Sequence, residues 1–213
     1  MQVEIKFCGL TRPEDAALAA SLGASYTGVI FAGGPRHLDA GSAAEVLAAA
    51  GDGVQRVGVF AAAPPADVAR LARLTGLHVV QLHGDPDAEY VRRVRAESGC
   101  GVWAVVRVPA TSLASRIAEL DAVADAIVLD ALVPGRLGGT GSSFDWRLAA
   151  TEARPARARL VVAGGLGALN VGEAIRVLAP DIVDVSSGVE SAPGIKDHQR
   201  MRAFAAAVRS HDE

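Results

Sequence analysis

The sequence predicts an α/β protein, a single-domain (β/α)8 TIM barrel, and three observations point there. Eight short runs rich in β-branched residues recur along 213 residues, each followed by Gly, Pro or polar turn residues. Ala- and Leu-rich helical patterns fill the intervals, and strand–helix alternation implies a parallel sheet. Units of about 25 residues account for residues 1–213 as one domain with no linker left over. The rival is an open doubly wound sheet. That fold wants a Gly-rich turn after the first strand, and CGLTRPE has a single glycine there.

In order, the predicted strands are VEIKFC (3–8), YTGVIF (26–31), VQRVGVF (54–60), HVVQLH (78–83), VWAVVRV (102–108), DAIVLD (125–130), RLVVAG (159–164) and DIVDVSS (181–187). Helical stretches such as PEDAALAASLG, PADVARLARLTG, PDAEYVRRVRAES and ALNVGEAIRVLA lie between them. Thr11 and Glu14 have capping-box spacing, and Pro13 suits a first helical turn. Asp85-Pro86 repeats the pattern of a cap followed by proline. Half of the residues are hydrophobic but only 4% are aromatic, which describes a core of Val, Ile, Leu and Ala.

Bulk properties exclude several functions. The formal net charge is −3 with no basic tract, so no nucleic-acid partner is expected and an anionic ligand must be held by local groups. No apolar run reaches the roughly 18 residues of a membrane span, and MQVEIKFCG lacks the pattern of a signal peptide. A cytoplasmic protein with no membrane partner is expected. The two cysteines, Cys8 and Cys100, have no metal-ligand spacing. In a barrel they fall at opposite mouths, roughly 17–20 Å apart, too far for a disulfide.

Side chains alternate along a strand, which sorts each run into two faces. Val3, Ile5 and Phe7 form an apolar face for the helices, leaving Glu4, Lys6 and Cys8 inside. The same rule turns Gln81, His83, Arg107, Asp130 and Asp184 inward, and with Cys8 they gather at the C-terminal strand ends, where barrel active sites lie. Each, taken singly, has a plain alternative: ionisable groups inside a barrel also satisfy one another. Gly-rich turns follow the sixth (PGRLGGTGSSFDW), seventh (AGGLGALN) and eighth (SSGVESAPG) strands. Glycines let backbone N–H groups approach an anion, and the last two loops are the common phosphate-binding place of this fold. The 131–145 loop reads as a lid or as an ordinary surface excursion. Cys8 and Asp130 suit a base and an acid, with a following helix N-terminus stabilising the thiolate. Such a pair suggests proton shuttling on a phosphosugar, an isomerisation at a carbonyl or imine.

Together, KFCGLT, VIFAGGPRHL, VGVF, VQLHGD, LDA…GGTGSSFDW, VVAGGL and DVSSGVE…PGIKD resemble the phosphoribosylanthranilate isomerases of tryptophan biosynthesis, over nearly the whole chain. The resemblance implies an Amadori rearrangement of N-(5-phosphoribosyl)anthranilate to 1-(2-carboxyphenylamino)-1-deoxyribulose 5-phosphate, the third step from chorismate to tryptophan, with no cofactor and no metal. It places the general base on Cys8 and the general acid on Asp130. It also assigns Arg36 to the anthranilate carboxylate, Gln81, His83 and Asp184 to the ribose and aromatic ring, and Gly165, Ser187 and Gly188 to the phosphate. Without it, Arg36 reads as a solvated loop arginine. Asp184 reads equally as a partner of Lys6 on the adjacent strand. A monomer or a homodimer is expected. The chain departs from the family pattern at Gly34, where serine is usual, and at Ser142, where a basic or long residue is common. A catalytically silent phosphate-binding barrel is the rival from another functional class.

Overall fold

In the structure, a computed structural model, residues 2–108, 113–131, 146–153 and 156–211 are described. The expected order holds: β1 (Glu4–Phe7), α1 (Pro13–Ser21), β2 (Tyr26–Ile30), α2 (Ala40–Ala48), β3 (Gln55–Phe60), α3 (Pro65–Thr75), β4 (Val79–Leu82), α4 (Ala88–Ser98), β5 (Gly101–Val108), α5 (Leu113–Asp121), β6 (Ala126–Ala131), α6 (Trp146–Ala153), β7 (Arg159–Val162), α7 (Val171–Leu178) and β8 (Ile182–Val185). A short 3-10 turn (Ser187–Val189) and a hairpin of β9 (Glu190–Ala192) and β10 (Ile195–Lys196) precede α8 (His198–Arg209). Strands β1 to β8 pair in parallel and close on themselves, β1 meeting β8 through Lys6↔Asp184. Among the described residues no helix is long and apolar enough to cross a membrane.

Alternation along the strands builds two apolar layers. Ile5, Phe7, Val80, Leu82, Leu129 and Val162 face outward and pack against the helices. Val57, Val79, Trp103, Val105, Val128 and Val161 fill the interior, where Tyr26 meets Trp103 edge-on at 4.8 Å. Arg159 sits at the N-terminal end of that plug, donating to Glu4 at 2.8 Å and to the Tyr26 hydroxyl at 2.9 Å. The apolar plug leaves the C-terminal mouth as the place where inward polar side chains collect.

Local starts differ from the sequence reading at two helices. No capping box forms at α1: Arg12 is the N-cap residue, without a side-chain cap, and the Thr11 hydroxyl donates to the Gly194 carbonyl instead. Pro13 does occupy the first turn. Arg12 clamps Asp15 through Nε at 2.9 Å and Nη2 at 2.7 Å, joining this turn to the Lys196 carbonyl. Helix α4 starts later than Asp85-Pro86 suggested. Asp87 caps it by accepting from the Tyr90 amide, and Asp85 takes a left-handed φ of 56° in the turn before. The extra hairpin after β8 was absent from the sequence reading. Both cysteines are free, Cys8 buried and Cys100 partly so. The Gly-Gly-Thr-Gly lid, Ser142 included, lies outside the described residues.

Candidate active site

A cavity of about 500 Å³ opens at the C-terminal mouth, and every site residue named from the sequence lines it: Cys8, Arg36, Gln81, His83, Asp130, Gly165, Asp184, Ser187 and Gly188. Arg107, expected among the inward residues at the strand ends, does not line it. Its guanidinium reaches back at 3.2 Å to the His83 carbonyl and braces the end of β4.

The floor is a buried charge layer. Lys6 is fully buried and its Nζ lies 2.7 Å from Asp184 Oδ2, the pairing that adjacency of β8 and β1 allowed. Asp184 therefore serves a structural partner and also lines the cavity. Its Oδ1 and the Gln81 Oε1 are buried without a hydrogen-bond partner among the described residues. Burial pulls the Lys6 pKa down, but the Asp184 charge, with Cys8 beside it, leaves it above its ordinary value.

Cys8 follows β1 with its amide on the Val185 carbonyl. Gly28 on β2 provides the room: a methyl there would lie 3.3 Å from the Cys8 sulfur and 3.2 Å from Lys6 Cε. The expected thiolate stabilisation by the next helix is not seen. Helix α1 begins only at Pro13, and burial pushes the Cys8 pKa up, opposed by Lys6 and Lys196 and reinforced by Asp184. Burial favours the neutral thiol, and the charges opposing it belong to two buried lysines rather than to a helix dipole.

Across the β4 and β6 ends, His83 Nε2 lies 3.4 Å from Asp130 Oδ2. Burial, then the charges of Arg107 and Lys6, lower the His83 pKa to about 4. His83 is thus a neutral hydrogen-bonding group at pH 7, not a proton donor. Asp130 is 5% exposed, almost out of water.

Arg36 is not solvated. Its Nε and Nη2 hold the Glu190 carboxylate at 2.8 and 2.7 Å, and the Glu190 Oε1 also accepts from the buried Lys196 Nζ at 2.8 Å. Glu190 and Lys196 were not singled out in the sequence. They stand in the recognised stretch DVSSGVE…PGIKD, but only the hairpin makes them neighbours. Gly34 adopts a φ of 118°, a conformation in which a serine would be strained.

The opposite rim is backbone. Gly164 and Gly165 take left-handed φ values of 83° and 67°. Asn170 pins the turn, its Nδ2 donating to the Gly165 carbonyl and its Oδ1 accepting from the Gly167 amide. Gly188 presses on this loop so closely that a Cβ would lie 1.9 Å from the Leu166 carbonyl oxygen. A side chain at Gly188 would not fit against this loop, and Gly165, Ser187 and Gly188 all line the cavity.

Residues 5–207 match the family described as N-(5'phosphoribosyl)anthranilate (PRA) isomerase. The chain belongs to the phosphoribosylanthranilate isomerase family. The enzyme of that name from Rubrobacter xylanophilus is 45% identical over 97% of this chain and 99% of its own. That from Acidithiobacillus ferrooxidans is 43% identical over 97% and 98%. The crystal structure of the Thermotoga maritima phosphoribosylanthranilate isomerase superposes with a TM-score of 0.90, 33% identity, and coverage of 98% of this chain and 100% of that one.

Proposed function

We propose that the protein converts N-(5-phosphoribosyl)anthranilate to 1-(2-carboxyphenylamino)-1-deoxyribulose 5-phosphate, as a single catalytic domain of cytoplasmic tryptophan biosynthesis. The observation that carries this reading is the meeting of nearly buried Cys8 and Asp130 in one cavity, with a Gly-rich backbone rim and Arg36 around them. A structural relative at 32% identity and a TM-score of 0.86 is a phosphoribosylanthranilate isomerase complexed with the reduced form of that product.

In this mechanism Asp130 gives its proton to the ribose ring oxygen. The C1–O bond breaks, and the nitrogen lone pair forms an iminium at C1. Cys8, as thiolate, takes the proton from C2. The C–H electrons become the C1–C2 double bond, neutralising the iminium to an enolamine. Tautomerisation of the enol, with a proton added at C1, yields the ketone. The electron-poor iminium acidifies C2, so a thiolate suffices as base. Lys6 and Lys196 oppose the burial that disfavours the thiolate. Gln81 and Asp184 accept from ribose hydroxyls, neutral His83 packs beside Asp130, and the rim formed by Gly165, Ser187 and Gly188 binds the phosphate.

Turnover is followed by the loss of anthranilate-type fluorescence. General acid–base groups contribute roughly 10²–10⁴-fold, and Cys8→Ala and Asp130→Ala should each lose a factor in that range. Undiminished turnover in either variant overturns the assignment.

A further inference from the structure

Arg36 has two edges that can bind a carboxylate in bidentate fashion, one formed by Nε and Nη2 and the other by the two terminal nitrogens. Glu190 takes the first edge with contacts of 2.8 and 2.7 Å, which fixes the guanidinium plane and leaves the second edge for a ligand. The arginine stem crosses Gly9, where a Cβ would lie 2.7 Å from Arg36 Cδ, so the path is open only because residue 9 has no side chain. Glu190 is itself held. Its Oε1 accepts from Lys196 Nζ at 2.8 Å and from the Gly194 amide at 3.3 Å, and Lys196 also donates to the Ser186 carbonyl at 3.1 Å. Both Glu190 and Lys196 are nearly or fully out of water, at 6% and 2% exposure.

Charge decides what this arrangement does. An isolated Arg–Glu pair is neutral and would offer a substrate carboxylate little attraction. With Lys196 on the same carboxylate, the cluster carries one net positive charge, and the guanidinium is the part of it that lines the cavity. We infer that Glu190 is a positioning residue that aims Arg36 at the aromatic carboxylate of the substrate, with Lys196 offsetting its charge, so that this pair sets the enzyme's preference for a carboxylated aminosugar. The inference rests on the function proposed above.

The test uses two ligands: the reduced carboxyphenylamino-deoxyribulose phosphate and its phenylamino counterpart without the carboxyl group. Calorimetric Kd values are measured for the wild type, Arg36→Met, Glu190→Ala and the doubly neutral variant Glu190→Gln/Lys196→Met, which strands no buried charge if Glu190→Ala fails to fold. Glu190→Ala or its neutral replacement should weaken the carboxylated ligand by roughly ten- to a hundredfold, the range of a charge-assisted hydrogen bond. The decarboxylated ligand should change less than threefold. Adding Arg36→Met should cause no further loss, and in Glu190→Ala, which keeps Lys196, KM should rise more than kcat falls. Equal weakening of both ligands would mark a merely structural role and overturn the inference. So would discrimination lost in Arg36→Met but kept in the Glu190 variants, which leaves the proposed function standing. A wild type that neither binds the carboxylated ligand nor turns over the substrate overturns both.

Discussion

Replacing Lys6 by methionine separates the folding and chemical uses of the buried charge layer. Lys6 Nζ lies 2.7 Å from Asp184 Oδ2 in a fully buried setting, and Asp184 Oδ1 has no hydrogen-bond partner among the described residues. Lys6→Met therefore strands a buried carboxylate, which costs about 3–5 kcal/mol. In a domain of this size each kcal/mol shifts Tm by about 2–4 °C, so a fall of roughly 6–20 °C is expected. Lys6→Met/Asp184→Asn removes both charges and should regain at least half of that loss, since neutral replacements of buried pairs are often tolerated. Turnover should not return with it. A methyl at Gly28 would lie 3.4 Å from Lys6 Nζ and 3.3 Å from Cys8 Sγ, so these atoms are at most about 7 Å apart. At an effective dielectric of about 20 the ammonium favours the thiolate by at least about 2.4 kcal/mol, about fiftyfold in rate. Thermal melts and fluorescence turnover, with Asp184→Asn alone as reference, supply both readouts. Additive stability losses would refute the charge pairing. Turnover of the double variant equal to that of Asp184→Asn would refute the role of Lys6 in activating Cys8.

Two further outcomes follow from buried polar groups. With the His83 pKa at about 4 and an unfolded value of about 6.5, the unfolded chain binds the extra proton between those pH values. Stability should therefore decline as pH falls from about 6.5 to 4, by up to ~3 kcal/mol. Urea titrations of His83→Asn should show a flatter decline, and an unchanged slope would place the proton elsewhere. Thr27 is fully buried with its hydroxyl unpartnered among the described residues. Thr27→Val keeps the shape and removes the desolvated hydroxyl, so Tm should rise by a few degrees, for about 1 kcal/mol. A lower Tm would show that the hydroxyl is bonded.

The strands and the inward residues were legible because one period controls both. Alternation at two residues places Lys6 and Cys8 inside and Ile5 and Phe7 outside once any strand is assigned at 3–8, and the structure follows it. Caps were less legible because they depend on competing partners. Thr11 has the right spacing for a capping box, yet Gly194, far along the chain, takes its hydroxyl. Arg36 shows the same limit: nothing near GPRHL in sequence indicates that Glu190 grips it, since that contact exists only after the barrel closes and the β9–β10 hairpin forms. The Cys8 environment was misjudged for a related reason. Proximity in sequence suggested a helix dipole, while the charges that matter belong to Lys6 on the same strand and Lys196 on a distant hairpin.

These contacts bear on how a chain of net charge −3 would hold the phosphate and carboxylate of the proposed substrate. Lys6 is matched by Asp184, and the pair Arg36 and Lys196 is partly matched by Glu190. The interior therefore keeps little uncompensated charge, which a folded apo protein needs, because an unpaired buried ion is strongly destabilising. In the proposed function, attraction for anions comes from groups that carry no full charge, or from one unbalanced cation. In the proposed function the Gly165 and Gly188 loops are of the first kind, since backbone N–H dipoles would serve a phosphate without costing the empty site an ion pair. The Arg36 cluster is of the second kind. The two anion sites of the proposed function thus differ in electrostatic means, and Cys8 and Asp130 line the same mouth.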